Sequence, residues 1–131
     1  MNVRVHRPDR LDWRRIGDFP MPDWLRDYLD PSELGGHVAY HERGGADAME
    51  LLEMRFEPDT VIVPHSHDSD EIIFVIEGSF TCGDHVLDAG CSLYIPAGAI
   101  SSGRTGSAPA RLLSFRARAD HSFRMMARQV T

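Results

Sequence analysis

Residues 63–78, VPHSHDSDEIIFVIEG, contain the longest uninterrupted apolar run of the chain, Ile72 to Ile76, immediately behind two histidines and a carboxylate. Five apolar residues are far too few to span a membrane. Their β-branched and aromatic composition, closed by Gly78, reads as a strand over Glu71–Glu77. On that strand Glu71, Ile73, Val75 and Glu77 share one face and Ile72, Phe74 and Ile76 the other. Both sets are largely apolar. The expectation is that one lines a cavity and the other packs beneath a second sheet.

The same pattern continues on both sides. His37–Glu42, Met49–Phe56, Thr60–Val63, Ser79–Cys82, His85–Asp88, Ser92–Ile95, Ile100–Arg104 and Arg111–Arg118 read as short strands. Gly44-Gly45, Pro58-Asp59, Gly83-Asp84, Ala89-Gly90, Pro96-Ala97-Gly98 and Gly106-Ser107 punctuate them. Many short strands without a long helix between them predict an all-β sandwich or barrel. Residues 1–34 differ: Trp13, Phe19, Trp24 and Tyr28 alternate with Arg, Asp and Pro, and Asp23–Leu29 reads as a short helix with Trp24 and Tyr28 on one face. The organisation is therefore an N-terminal helical and irregular arm (1–34), a β-barrel (35–120) and a tail (121–131), in which Phe123–Gln129 suits strand and helix equally. The arm is expected to pack over the barrel or against a second subunit.

At 131 residues the chain is long enough for one core without disulfides. A net charge of −6 gives no electrostatic help to a nucleic-acid or anionic-membrane partner. All 14 basic residues are arginine, which excludes Schiff-base and lysine-nucleophile chemistry. The first residues, MNVRVHRPDRLDW, have no apolar core of the kind a secretory signal needs, so the expected location is cytoplasmic. Cys82 and Cys91 are then free thiols, read as two small buried hydrophobes.

If His65 and His67 lie on a strand, they point to one side with Cα atoms about 6.5–7 Å apart, close enough to share a cation. The polar Asp68-Ser69-Asp70 segment can re-aim Glu71 at the same point. Two histidines and a carboxylate are the ligand set of many non-haem iron sites and some zinc sites. Spacing alone leaves open two exposed histidines before a strand and a strand-end charge.

Residues 65–78 read H-x-H-x3-E-x6-G, and residues 90–98, GCSLYIPAG, read G-x5-P-x-G, with 11 residues between Gly78 and Gly90. Over roughly residues 46–118 the chain resembles the cupin superfamily, in its small single-domain form. The resemblance implies a double-stranded β-helix (jelly-roll) barrel holding a divalent metal (Fe, Zn, Mn or Ni) on His65, His67 and Glu71. Glu71 is then a ligand and, if it detaches, a catalytic base. Three positions depart from the pattern: Ser101 stands at the fourth ligand's place, Thr105 at the asparagine's, and Asp59 where a glycine precedes the histidines. A serine hydroxyl is a poor ligand beside imidazole, so the site is more open or weaker. His85, His37 and His41 are the remaining imidazole candidates.

Ser101, Tyr94, Arg55 and Arg104 are candidate substrate-orienting groups, the arginines suiting a carboxylate. The expected function is a metal-dependent enzyme acting on a small organic molecule in the barrel, with oxygenase-type chemistry favoured over isomerase, lyase or cyclase chemistry. The alternative is a non-catalytic sensor or storage protein with a degenerate metal site. Small relatives of this kind usually pair, so a homodimer is expected, with Trp13, Trp24 and Tyr28 contributing.

Overall fold

The computed structural model describes residues 2–45, 47–119 and 124–125. The arm opens with a 3₁₀ turn, Pro8–Arg10, then strand β1 (Arg14–Arg15), a second 3₁₀ turn (Ile16–Asp18), and helices α1 (Asp23–Tyr28) and α2 (Pro31–Leu34). Helix α2 starts where its capping allows: Pro31 sits in the first turn, Asp30 accepts from the Ser32 N–H, and Glu33 reaches back to the Asp30 N–H. Ten strands follow: β2 (His37–Glu42), β3 (Glu50–Phe56), β4 (Val61–Ser66), β5 (Glu71–Glu77), β6 (Ser79–Cys82), β7 (His85–Asp88), β8 (Ser92–Ile95), β9 (Ser101–Thr105), β10 (Ala110–Arg116) and β11 (Arg124–Met125). Strand β4 runs three residues past the expected Val63, which places His65 in the ladder itself. Of the tail, Arg124–Met125 is strand, and the rest of Phe123–Gln129 lies outside the described residues.

The strands form two antiparallel sheets, β1-β2-β3-β10-β5-β8 and β11-β4-β9-β6-β7, the jelly-roll arrangement expected of the sequence. Phe56, Ile73, Val75, Phe80 and Leu112 form the buried core between them. Each such side chain, withdrawn from water, contributes about 2 kcal/mol before its entropy cost. Gly78 allows β5 to turn sharply into β6 with φ +80°; a Cβ there would lie 2.5 Å from the Pro109 carbonyl oxygen. Asp59, standing where the resemblance places a glycine, adopts φ +56°, so its backbone keeps the left-handed turn that glycine would supply.

One face assignment is corrected. Glu71, Ile73 and Val75 point inward, but Ile72 and Phe74 are each 41% exposed, and they lie on the outer surface of the six-stranded sheet rather than beneath a second one. Tyr94, paired with Ile72, and Phe115, likewise paired with Ile72, extend that apolar outer face.

The arm is bound to the barrel at the first half of β4. Val61 N–H donates to Ser32 Oγ (3.2 Å), Val63 N–H to Glu33 Oε1 (3.2 Å), and Tyr28 Oη–H donates to the Pro64 carbonyl (2.6 Å). Arm side chains thus satisfy backbone groups that a neighbouring strand would otherwise take. Trp13 is also used within the chain, its ring carrying the Arg55 guanidinium at 4.1 Å.

Candidate functional site

The two sheets and the arm enclose a chamber of about 320 Å³. Its body is apolar: Leu52, Met54, Phe56, Ile73, Leu93 and Leu112 come from the barrel, and Phe19, Met21, Leu25 and Leu29 from the arm. The sequence left the arm's place open between barrel and partner; here it walls the chamber. Helix α1 is amphipathic in a practical sense, since Leu25 and the adjoining Leu29 face the chamber while Trp24 is 39% exposed.

The polar groups of the chamber are His65, His67, Glu71, Ser101, Ser102 and Arg116, with Tyr40 and Glu33. His65 and Ser101 are direct partners across β4 and β9, which puts the serine hydroxyl opposite the imidazole where the resemblance expects a fourth ligand. The rings of His65 and His67 meet edge to face with centroids 4.9 Å apart. His65 Nδ1 lies 2.7 Å from the Val63 carbonyl. That contact assigns the proton to Nδ1 and makes Nε2 the lone-pair nitrogen, the arrangement a metal-binding imidazole uses. Burial holds the His65 pKa below its ordinary value, and neighbouring His67 acts in the same direction, so the ring is kept neutral.

Glu71 sits in a row the sequence did not reveal. Glu50, Arg116 and Glu71 are adjacent across β3, β10 and β5. Arg116 Nε donates to Glu71 Oε2 at 3.1 Å and its Nη1 to Glu50 Oε1 at 3.3 Å; the Ser114 hydroxyl also donates to Glu71 Oε2. In the folded chain the burial of Leu112 puts Ser114 and Arg116 on the inner face by alternation, a parity that the sequence does not mark. Leu113 and Phe115 are equally apolar, and the parity was ambiguous without the partner strands.

The chemistry of these donors suits a divalent metal: two imidazoles, one with its tautomer set by a carbonyl, and a carboxylate with one oxygen fixed by two donors. As the side chains stand, no three His, Cys, Asp or Glu residues among those described are grouped closely enough to hold one ion.

Glu33 is the second buried carboxylate of the chamber. Burial raises its pKa from 4.5 to about 7, against the opposing effect of the Val63 and Asp30 N–H groups that it accepts from.

Three expected substrate-orienting groups are corrected. Tyr94 is 60% exposed on the outer face, because its partner Ile72 points outward. Arg55 stacks on Trp13, and Arg104 is exposed; neither lines the chamber. Ser101 does. His85 and His37 are exposed, and His41 Nε2 contacts Glu53 Oε2 at 3.2 Å on the outer face. Cys82 lines the chamber, but Cys91 is exposed rather than buried. No helix among the described residues is long and apolar enough to cross a membrane.

The sequence profile of the cupin domain matches residues 52–116. No curated protein matches the chain. Among solved structures, an RmlC-like cupin from Ralstonia eutropha JMP134 superposes with a TM-score of 0.71 at 13% identity, covering 90% of this chain and 70% of that one. The polyketide cyclase RemF from Streptomyces resistomycificus superposes with a TM-score of 0.68 at 22% identity, covering 96% and 86%. A sugar phosphate isomerase of the superfamily from Silicibacter pomeroyi gives 0.69 at 22% identity, covering 88% and 76%. At these identities the likeness concerns the fold, and the two named activities are chemically unrelated. The profile match, the double-sheet barrel and the His65–His67–Glu71 end of its chamber together identify this chain as a member of the cupin superfamily.

Proposed function

We propose that this chain is a metal-dependent cupin enzyme whose substrate is a largely apolar organic molecule. The observation that carries the reading is the chamber: about 320 Å³, apolar along its body, with its histidines, serines and one arginine on the same wall system as Glu71. A sugar phosphate has no use for such a lining. Of the activities named among the structural neighbours, polyketide cyclisation has the substrate chemistry that suits it, and oxygenase-type chemistry on an apolar substrate suits the same donors.

A divalent ion, Fe, Zn, Mn or Ni, would be held by His65, His67 and Glu71, and would supply Lewis acidity or activate oxygen. The chain's own residues do the rest. The Val63 carbonyl keeps the His65 proton on Nδ1, and Ser114 and Arg116 hold Oε2 of Glu71. The apolar walls orient the substrate and exclude water, and the Ser101 and Ser102 hydroxyls offer hydrogen bonds to its oxygen atoms. We further propose that two copies pair through the outer face of Ile72, Phe74, Tyr94 and Phe115. Among the described residues this patch gathers four exposed large apolar side chains on one sheet face, and a second copy brings the same apolar surface to it.

A second reading, a non-catalytic binding protein, is favoured by Ser101 at the fourth ligand's place and by the lack of an assembled three-donor cluster among the described residues. Elemental analysis of untagged, chelator-free protein beside His65→Ala and Glu71→Ala separates the two. Near-stoichiometric metal, lost in both variants, supports the enzyme. Protein that takes up none of Fe²⁺, Zn²⁺, Mn²⁺ or Ni²⁺ refutes it and leaves the binding reading.

A further inference from the structure

A second cavity of about 230 Å³ adjoins the chamber, enclosed by Asp12, Arg14, Phe19, Val38, Tyr40 and Arg43. Phe19, Val38 and Tyr40 also line the chamber, so the two spaces share these three side chains. The placement of Arg43 is the work of a β-bulge. Tyr40 pairs with Leu52 but Glu42 pairs with Leu51, so one extra residue is inserted into β2. In regular alternation Tyr40 and Glu42 would share a face and Arg43 would take the other. The bulge inverts this. Glu42 turns outward to Arg4 Nε (2.8 Å) and His6 Nε2 (3.1 Å), and Arg43 turns to the side of Tyr40, its guanidinium carbon 4.5 Å from the ring centroid. Arg14 reaches the same side from β1, where it pairs with Val38. Arg14 is held by Asp12 at 2.9 Å, whereas Arg43 has no carboxylate partner among the described residues.

We propose that the ligand of this chamber is an organic anion: its apolar body occupies the chamber, and its anionic group, a carboxylate or a group of similar charge, passes Phe19 and Tyr40 to reach Arg43, with Arg14 beside it. Two guanidinium groups against one carboxylate leave this cavity a net positive charge within a chain of net charge −6. Arg43 is pre-ordered by its contact with Tyr40, so less of its rotamer entropy is lost when an anion binds. The inference rests on the reading of the chamber as a substrate site and adds the class of substrate to it.

The test uses two fluorescent probes with the full chain: 1-anilinonaphthalene-8-sulfonate, an aromatic body bearing one anionic group, and N-phenyl-1-naphthylamine, the same body without it. At low salt the wild-type protein binds the sulfonate about three- to tenfold more tightly than the neutral probe, the range for one partly exposed charge-assisted contact. Arg43→Gln removes most of that preference and leaves the neutral probe's affinity unchanged; Arg14→Gln has a smaller effect, because Asp12 already offsets its charge. Arg43 is exposed, so this substitution leaves the fold intact, which circular dichroism checks. If the neutral probe binds but Arg43→Gln binds the sulfonate as the wild type does, the anion inference is overturned and the apolar chamber stands. If neither probe binds, both the inference and the chamber reading fall.

Discussion

Glu33→Gln tests how the arm is held over the chamber. In the folded chain the Glu33 carboxyl is buried, accepts the N–H groups of Asp30 and Val63, and has its pKa raised from 4.5 to about 7. A raised carboxyl pKa means that the folded state holds the proton more tightly than the unfolded one. The associated stability is fully present below pH 4.5 and is lost as pH rises through about 7. At about 1.4 kcal/mol per pH unit the difference is at most ~3.5 kcal/mol; for a group at the arm–barrel boundary, partly screened by solvent, we expect about 2 kcal/mol. Urea denaturation at pH 5, 6, 7 and 8 measures it. Wild-type stability should fall across this window relative to Glu33→Gln, whose amide does not titrate. His65 does not imitate the effect: its pKa is lowered, so its contribution grows with pH and is lost only on acidification. Parallel profiles for wild type and variant would refute the account of Glu33 as a buried, proton-retaining latch.

Three further outcomes are expected. Arg116→Met strips the cation from between Glu50 and Glu71 and should cost about 3 kcal/mol by denaturant titration, with part recovered in the Arg116→Met/Glu50→Gln double variant. Ser101→His places an imidazole directly across from His65 and should tighten divalent-metal binding by roughly tenfold or more in calorimetric titration, the gain vanishing when His65 is also replaced. Phe74→Arg puts a charge into the outer apolar face and should convert the proposed dimer to a monomer in light scattering with an unchanged circular-dichroism spectrum; an unchanged dimer would rule out that face.

Much of this molecule is legible before folding. The strand over Glu71–Glu77 and the turns at Gly78 and Gly90 follow from two-residue alternation and from the spacing of residues that tolerate left-handed backbone. These are local properties, set within ten or so residues. What the structure alone decided is non-local. Arg116 meets Glu50 and Glu71 from 66 and 45 residues away, and only the order of β3, β10 and β5 brings the three together. The outward turn of Ile72 and Phe74 depends on which face of β5 meets the opposite sheet, a choice that two equally apolar faces leave undetermined. The position of Arg43 depends on one inserted residue in β2, which inverts every face assignment after it and has no signature in the residue types themselves. The arm's leucines become chamber walls because Ser32, Glu33 and Tyr28 bind the open edge of β4, and an edge exists only once the sheet has formed.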